Sequence, residues 1–335
     1  MRILIFRHGA FGDVIVTTPV VRYLAGQGHE IVYVANERGV QVLKGNPHVK
    51  TLIEEKTDAT PNHKLSDHIS YLQKKYKCER VIDFSESIEV ALSLHPKSPD
   101  YNLSKKERFA RFNRNFYEYA FEHAKENWGK WSTEPVNLLP ELFFDKSELD
   151  EAHKYLKPSY FNVLFGMSGS GHNKAYPHYV ELAERICEEI PEAHIITVGD
   201  ERCRLIEPEI EGRVTNLSGK VPMRTSMALT GLVDLVISPD TGLLHASGCY
   251  PTPKIALLGH TTGENITKHF SNCYNVEADS AKAPCSPCFR LIYNMKMQCP
   301  LNHVTQSSIC MAEGVEVDRI LTNVKEVYRG FLQNR

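Results

Sequence analysis

The 335-residue chain lacks several features, and each lack removes a class of protein. No apolar run reaches the roughly 20 residues of a membrane span, so no transmembrane segment is expected. Charge of one sign is not in excess: 39 basic residues face 41 acidic ones, a formal net charge of −2. Binding to a phosphate backbone needs a basic surface, so nucleic acid is not an expected partner. The opening residues, Met1-Arg2-Ile3-Leu4-Ile5-Phe6-Arg7-His8, carry no signal-peptide core or cleavage site. A cytoplasmic protein is expected. Repeats and low-complexity segments are absent as well. Two common phosphate signatures are also missing. The turn after the first strand has only Gly9 and Gly12 in place of G-x-G-x-x-G, and no lysine lies in G-K-[ST] context.

What remains is a soluble globular composition, 42% apolar and 24% charged, too long for one ordinary core. Arg2 to Phe6, Glu30 to Ala35, Val49 to Ile53 and Val81 to Phe84 read as strands. Between them Asp13 to Ala25, Val40 to Leu43 and Asp67 to Tyr76 read as helices. Ser104-Lys105-Lys106-Glu107 has capping-box spacing and predicts a long helix to about Asn127. Lys146 to Leu156 is a further helix, ended by Pro158. A second alternation follows, with strands at Phe161 to Phe165, His194 to Val198, Val214 to Leu217, Leu232 to Ile237 and Lys254 to Leu258. Its helices are Tyr179 to Glu189, Met223 to Leu229 and Val317 to Leu332. Such alternation predicts an α/β protein of two Rossmann-like domains, residues 1–157 and 158–335, each with a parallel sheet.

Three turns carry the candidate chemistry. Ser238-Pro239-Asp240-Thr241-Gly242-Leu243-Leu244-His245 follows a buried strand and leads into a small-residue helix. Backbone N–H groups at a helix start suit a diphosphate, and Thr241 and His245 would add side-chain donors. Gly9-Ala10-Phe11-Gly12-Asp13 places a carboxylate at the start of a helix, where the dipole favours it. Asp13 either caps that helix or accepts a proton from a hydroxyl nucleophile. Ser168-Gly169-Ser170-Gly171-His172-Asn173-Lys174 could set the hydroxyls of Ser168 and Ser170 and the Lys174 cation on a phosphate. It reads equally as a solvated loop.

Two further groups of residues stand out. Arg108, Arg111 and Arg114 lie three apart on the predicted long helix and would share a face able to meet an anionic acceptor. Peripheral membrane contact through them is a second option. Cys285, Cys288, Cys299 and Cys310 form one close pair and two later thiols among rigid prolines. Four thiolates suit a tetrahedral zinc or iron site; with no open position it would be structural, not catalytic. Unconnected thiols are the plain alternative.

In this order the pieces resemble glycosyltransferase family 9, the bacterial heptosyltransferases of lipopolysaccharide core assembly. The resemblance is carried by Arg7 to Val14 with Thr17-Thr18-Pro19, by Gly166 to Lys174, by Leu217-Ser218-Gly219-Lys220, and by Asp240-Thr241-Gly242 with His245. Tyr176-Pro177 stands where the family often has Trp-Pro, and Gly259-His260-Thr261 replaces a frequent Gly-Pro-Thr. The resemblance implies a GT-B fold, two facing Rossmann-like domains around a cleft. It implies that Asp13 is the general base toward the acceptor. Lys174, Thr241 and Gly242 would face the donor diphosphate, with Asp240, His245 and Gly219 at the donor site. The implied donor is a nucleotide diphosphate sugar, usually ADP-heptose. The implied reaction is inverting and needs no divalent metal, and the implied setting is the inner face of the bacterial inner membrane. The cysteine-rich segment 284–311 also resembles the metal finger of related protein-modifying heptosyltransferases, which keeps a protein acceptor beside the glycan. Other readings are a GT-B nucleotide-sugar epimerase and a donor-binding subunit without catalysis.

Overall fold

A computed structural model describes residues 1–56, 62–85, 98–128, 136–167, 169, 171–292 and 294–333. It contains two sheets, each with helices on its faces. The first joins β1 (Arg2–Arg7), β2 (Glu30–Ala35), β3 (Thr51–Glu54) and β4 (Arg80–Asp83) in the order β3-β2-β1-β4. The second joins β5 (Phe161–Gly166), β6 (Ala193–Val198), β7 (Val214–Asn216), β8 (Leu235–Pro239), β9 (Lys254–Leu258) and β10 (Cys273–Glu277) in the order β10-β9-β8-β5-β6-β7. Every pairing is parallel. Parallel strands covered on both faces read as continuous apolar runs, and β5, β6, β8 and β9 are buried at every residue. No helix among the described residues is long and apolar enough to cross a membrane.

Three local expectations change in the folded chain. The helix predicted from Asp13 to Ala25 is two helices, Phe11–Ile15 and Thr18–Gly26. Pro19 sits in the first turn of the second, where its missing N–H costs no helical bond. The long helix predicted to Asn127 is likewise broken, into Lys105–Phe112 and Phe116–Trp128. Asn115 explains the break. Its side-chain oxygen accepts from the N–H groups of Tyr117 (3.0 Å) and Glu118 (3.2 Å), starting a new helix. Its amide donates to the carbonyls of Glu264 and Asn265 in the C-terminal half. Strand β10 was not foreseen, because an edge strand reading Cys-Tyr-Asn-Val-Glu with one buried residue has no apolar run.

The two halves share a core. Val14, Ile15 and Tyr117 from the first pack in one cluster with Leu244, Ala246 and Phe270 from the second. The helix Lys146–His153 packs on Met223–Leu229, and its Ala152 joins Leu164 and Val236 of the second sheet. All three candidate turns lie at carboxyl ends of strands: Gly9–Asp13 after β1, the described Gly169 and Gly171–Lys174 after β5, and Asp240–His245 after β8. Ligands of open α/β sheets bind at that edge.

Candidate active site

Asp13 is held on the first-half side of the cleft by two donors. Its Oδ2 accepts the Ala10 N–H at 2.7 Å and lies 3.4 Å from Arg7 Nη2. Arg7 is almost fully buried at the end of β1 and also donates to the carbonyls of Phe84 (2.6 Å) and Ser85 (3.1 Å). The guanidinium is thus fixed by the β4 end and presents one nitrogen to the carboxylate. Asp13 itself keeps 27% of its side chain exposed, so one oxygen edge remains open to an incoming hydroxyl. The capping and proton-accepting roles are compatible here.

In the second half, Asp240 is a buried carboxylate beside one cation and two imidazole rings. Lys174 Nζ donates to its Oδ2 at 3.1 Å, His260 Nε2 lies 3.5 Å from the same oxygen, and His245 Nε2 lies 3.7 Å from Oδ1. Burial pushes the Asp240 carboxyl up, but Lys174 and the two histidines outweigh it and hold it well below the usual carboxylate range. His260 shows the opposite balance: burial, then Lys174, lower it to about 4 although Asp240 pulls it up. Its ring is therefore neutral at pH 7. Tyr117 reaches over from the first half and its hydroxyl lies 2.8 Å from His245 Nδ1. Burial above all raises the Tyr117 hydroxyl well above its ordinary range, so it stays protonated. Asp240 only accepts, which favours a proton on His245 Nε2 and leaves Nδ1 to accept from Tyr117.

The two turns meet glycine to glycine. A Cβ on Gly12 would lie 2.9 Å from His245 Cδ2 and 3.5 Å from Gly242 Cα. A Cβ on Gly242 would lie 2.9 Å from Phe11 Cβ and 3.2 Å from Gly12 N. Bare backbone on both sides lets Asp13 approach the Asp240 cluster. Gly242→Ala is expected to wedge the halves apart, cutting transfer about ten-fold or more and costing about 1–3 kcal/mol by overpacking. Steady-state kinetics with thermal unfolding checks this. Full activity in the variant would mean that the glycine contact does not set the approach.

The other expected site residues divide. Gly219 takes a left-handed φ of +63°. A Cβ there would lie 2.9 Å from Glu201 Cα, so glycine is required at this turn beside β6. Ser168 and Ser170 lie outside the described residues. Gly169 between them packs on the Asp240 turn, since its Cβ would meet Thr241 Cγ2 at 2.8 Å. Thr241 is placed differently from the expectation of a free donor. Its hydroxyl caps the helix Gly242–Ser247, accepting from Leu243 N at 3.2 Å, and pairs with Ser238 Oγ at 3.0 Å.

Arg108, Arg111 and Arg114 do not share one open face. Arg108 is buried and donates to the Leu103 carbonyl, and Arg111 pairs with Asp100 at 2.7 Å. Arg114 lies beyond the helix end and pairs with Glu122. The break at Asn113–Asn115 removes the shared periodicity on which that expectation rested. Arg7, Tyr117 and His260 were not singled out from sequence as site residues. Arg7 lay within a quoted motif and His260 at a noted departure, but Tyr117 gave no local signal.

Cys285, Cys288, Cys299 and Cys310 are free thiols in one neighbourhood. Burial, then the nearby thiols, push Cys299 up to about 12, and Cys310 is likewise pushed up to about 12. Even so, among the described residues no three His, Cys, Asp or Glu side chains are gathered as a metal-ligand set.

Two parallel-sheet α/β domains in this arrangement form the GT-B fold of glycosyltransferases. The family model of glycosyltransferase family 9 (heptosyltransferase) matches residues 72–298, and the chain belongs to that family. It is therefore read as a glycosyltransferase, the class to which its family belongs. No curated protein matches the sequence itself. The fold is similar to a family 9 glycosyl transferase of Veillonella parvula, at TM-score 0.69 and 16% identity over 97% of this chain and 96% of that one. It is similar to the E. coli ADP-heptose lps heptosyltransferase II at TM-score 0.66 and 16% identity, covering 98% of both chains. The iron-containing dodecameric glycosyltransferase TibC of enterotoxigenic E. coli is also similar, at TM-score 0.62 and 11% identity, over 99% of this chain and 79% of TibC.

Proposed function

We propose that this glycosyltransferase moves a heptose-like sugar, with inversion, from ADP-heptose to a hydroxyl of a lipopolysaccharide core or related glycan. The observation that carries the reading is the Gly12–Gly242 contact, which brings the turn that bears Asp13 against the turn that bears Asp240, itself paired with Lys174. In this scheme Asp13 takes the proton of the acceptor hydroxyl as its oxygen attacks the anomeric carbon. The bond from that carbon to the diphosphate breaks on the opposite face, which inverts the centre. Negative charge then grows on the leaving diphosphate, and Lys174, rather than a divalent metal, meets it. Similarity in fold to the E. coli ADP-heptose lps heptosyltransferase II supports the choice of sugar and base. The proposed setting is the cytoplasm at the inner face of the bacterial inner membrane.

Calorimetry with ADP, GDP and UDP tests the donor. Selective binding of ADP is the expected result. Selectivity for GDP or UDP would keep Asp13 as base and replace the sugar, and no response to any nucleotide would remove the donor site.

A protein acceptor is the second reading, favoured by the resemblance of the four-cysteine segment to the metal finger of protein-modifying heptosyltransferases; TibC, similar in fold, is iron-containing. The donor set is chemically suited to zinc or iron, although binding would have to draw the thiols closer than they stand. On this reading, protein purified without chelator should carry about one equivalent of zinc or iron per chain by elemental analysis. A metal-free, fully folded preparation would return the cysteines to ordinary thiols.

A further inference from the structure

We infer that the cysteine-rich segment 284–311 is a positioning device for transfer, holding Lys174 and His260 on Asp240 while tying both to the acceptor-side segment 101–112. The inference rests on reading Lys174 and Asp240 as the donor side. Three contacts run toward that side. Ser286 Oγ donates to the Gly259 carbonyl at 2.5 Å, and Phe289 N donates to the His260 carbonyl at 2.9 Å. Ser308 Oγ donates to the carbonyl of Asn173, the residue before Lys174, at 2.8 Å with both residues buried. Cys310 and Met311 lie directly beneath Gly259, where a Cβ would meet either sulfur at 2.8 Å.

Two contacts run the other way. Phe289, 1% exposed, packs with Phe112, Tyr101 and Leu103 of the first half. Arg290 donates to the Tyr101 carbonyl from Nη2 (2.6 Å) and Nε (3.1 Å), and its guanidinium lies 4.4 Å from the Tyr101 ring centre. One segment therefore fixes the backbones of two of the three groups around Asp240. A buried carboxylate depends on its partners staying in place, so loosening the segment loosens the charge that meets the diphosphate. Apart from the packing of Cys310 and Met311 on Gly259, these contacts use no cysteine sulfur.

The test uses the full chain with Ser308→Ala, Arg290→Met and the double variant. Hydrogen exchange is measured over 171–175 and 257–262, with 2–35 as the control, and ADP affinity is measured by calorimetry. Exchange should speed up in the first two segments and not in the control. ADP affinity should fall about five-fold or more per lost buried hydrogen bond, with little change in melting. Faster exchange confined to 284–311 would overturn the inference, and so would faster exchange at 171–175 and 257–262 with ADP affinity intact. A wild-type chain that ignores ADP would instead sink the donor assignment, and the exchange pattern alone would then decide.

Discussion

Asp13→Ala and Asp13→Asn should each lose about 10²- to 10⁴-fold in transfer rate while nucleotide affinity stays within a few-fold. The pair of variants separates chemistry from support. Alanine removes the acceptor for the Ala10 N–H and leaves the buried Arg7 guanidinium without its carboxylate. It should therefore melt earlier as well as react slowly. Asparagine keeps an oxygen for the Ala10 N–H and loses only the charge facing Arg7, so a slow variant that melts later than the alanine one isolates proton acceptance. Nucleotide affinity should be spared because Lys174, Asp240 and Gly219 all lie on the other half of the molecule. Wild-type rates in Asp13→Asn would end the general-base assignment.

Arg224→Ala should be the most destabilising single change in the junction between the halves, at about 3–5 kcal/mol. The Arg224 side chain is 6% exposed and donates to both oxygens of Glu148, at 2.5 and 2.6 Å, and to the carbonyls of Gln41 and Phe143. Removing it takes from Glu148 its main partner and frees the Gln41 and Phe143 carbonyls at once. The pH dependence identifies the pair. Hydrogen bonding from Arg224 lowers Glu148 from 4.5 to about 2, even against burial, with Lys44 adding to it. A lowered carboxyl contributes stability above its unfolded value, and that contribution is lost as pH falls from 4.5 toward 2. His194 and His260, each lowered by burial to about 4, add an earlier loss as pH falls from 6.5, because the unfolded chain takes up protons first. Denaturant titrations across pH should show both windows in the wild type. The variant should keep the histidine window and shrink the lower one, to which the lowered Asp240 carboxyl still contributes. An unchanged lower window would assign that acid sensitivity to other carboxylates.

The strands, the three turns and the glycines were legible because each is a local signal. A buried parallel strand needs several apolar residues in succession, and a phosphate turn needs glycine within a few positions of its lysine or aspartate. The same locality explains the errors. Ser104-Lys105-Lys106-Glu107 correctly starts a helix, but the stop at Phe112 depends on Asn115 finding carbonyls about 150 residues away in Glu264 and Asn265. Arg108, Arg111 and Arg114 keep their spacing in the sequence and lose their shared face in the fold for that reason.

By itself, then, the sequence determined two α/β halves, the aspartate at the first turn, and the lysine and aspartate at the other two. Tertiary structure alone decided what surrounds them. Tyr117 reaches His245, His260 reaches Asp240, and Gly12 meets Gly242 only when two separately readable sheets close on each other. Electrostatic environment behaves the same way. Asp240 is an ordinary aspartate in the chain, and it becomes a deeply ionised one only because burial gathers Lys174 and two histidines around it. Periodicity and turn chemistry act over a few residues, whereas burial and charge act through space, and space is set by the fold.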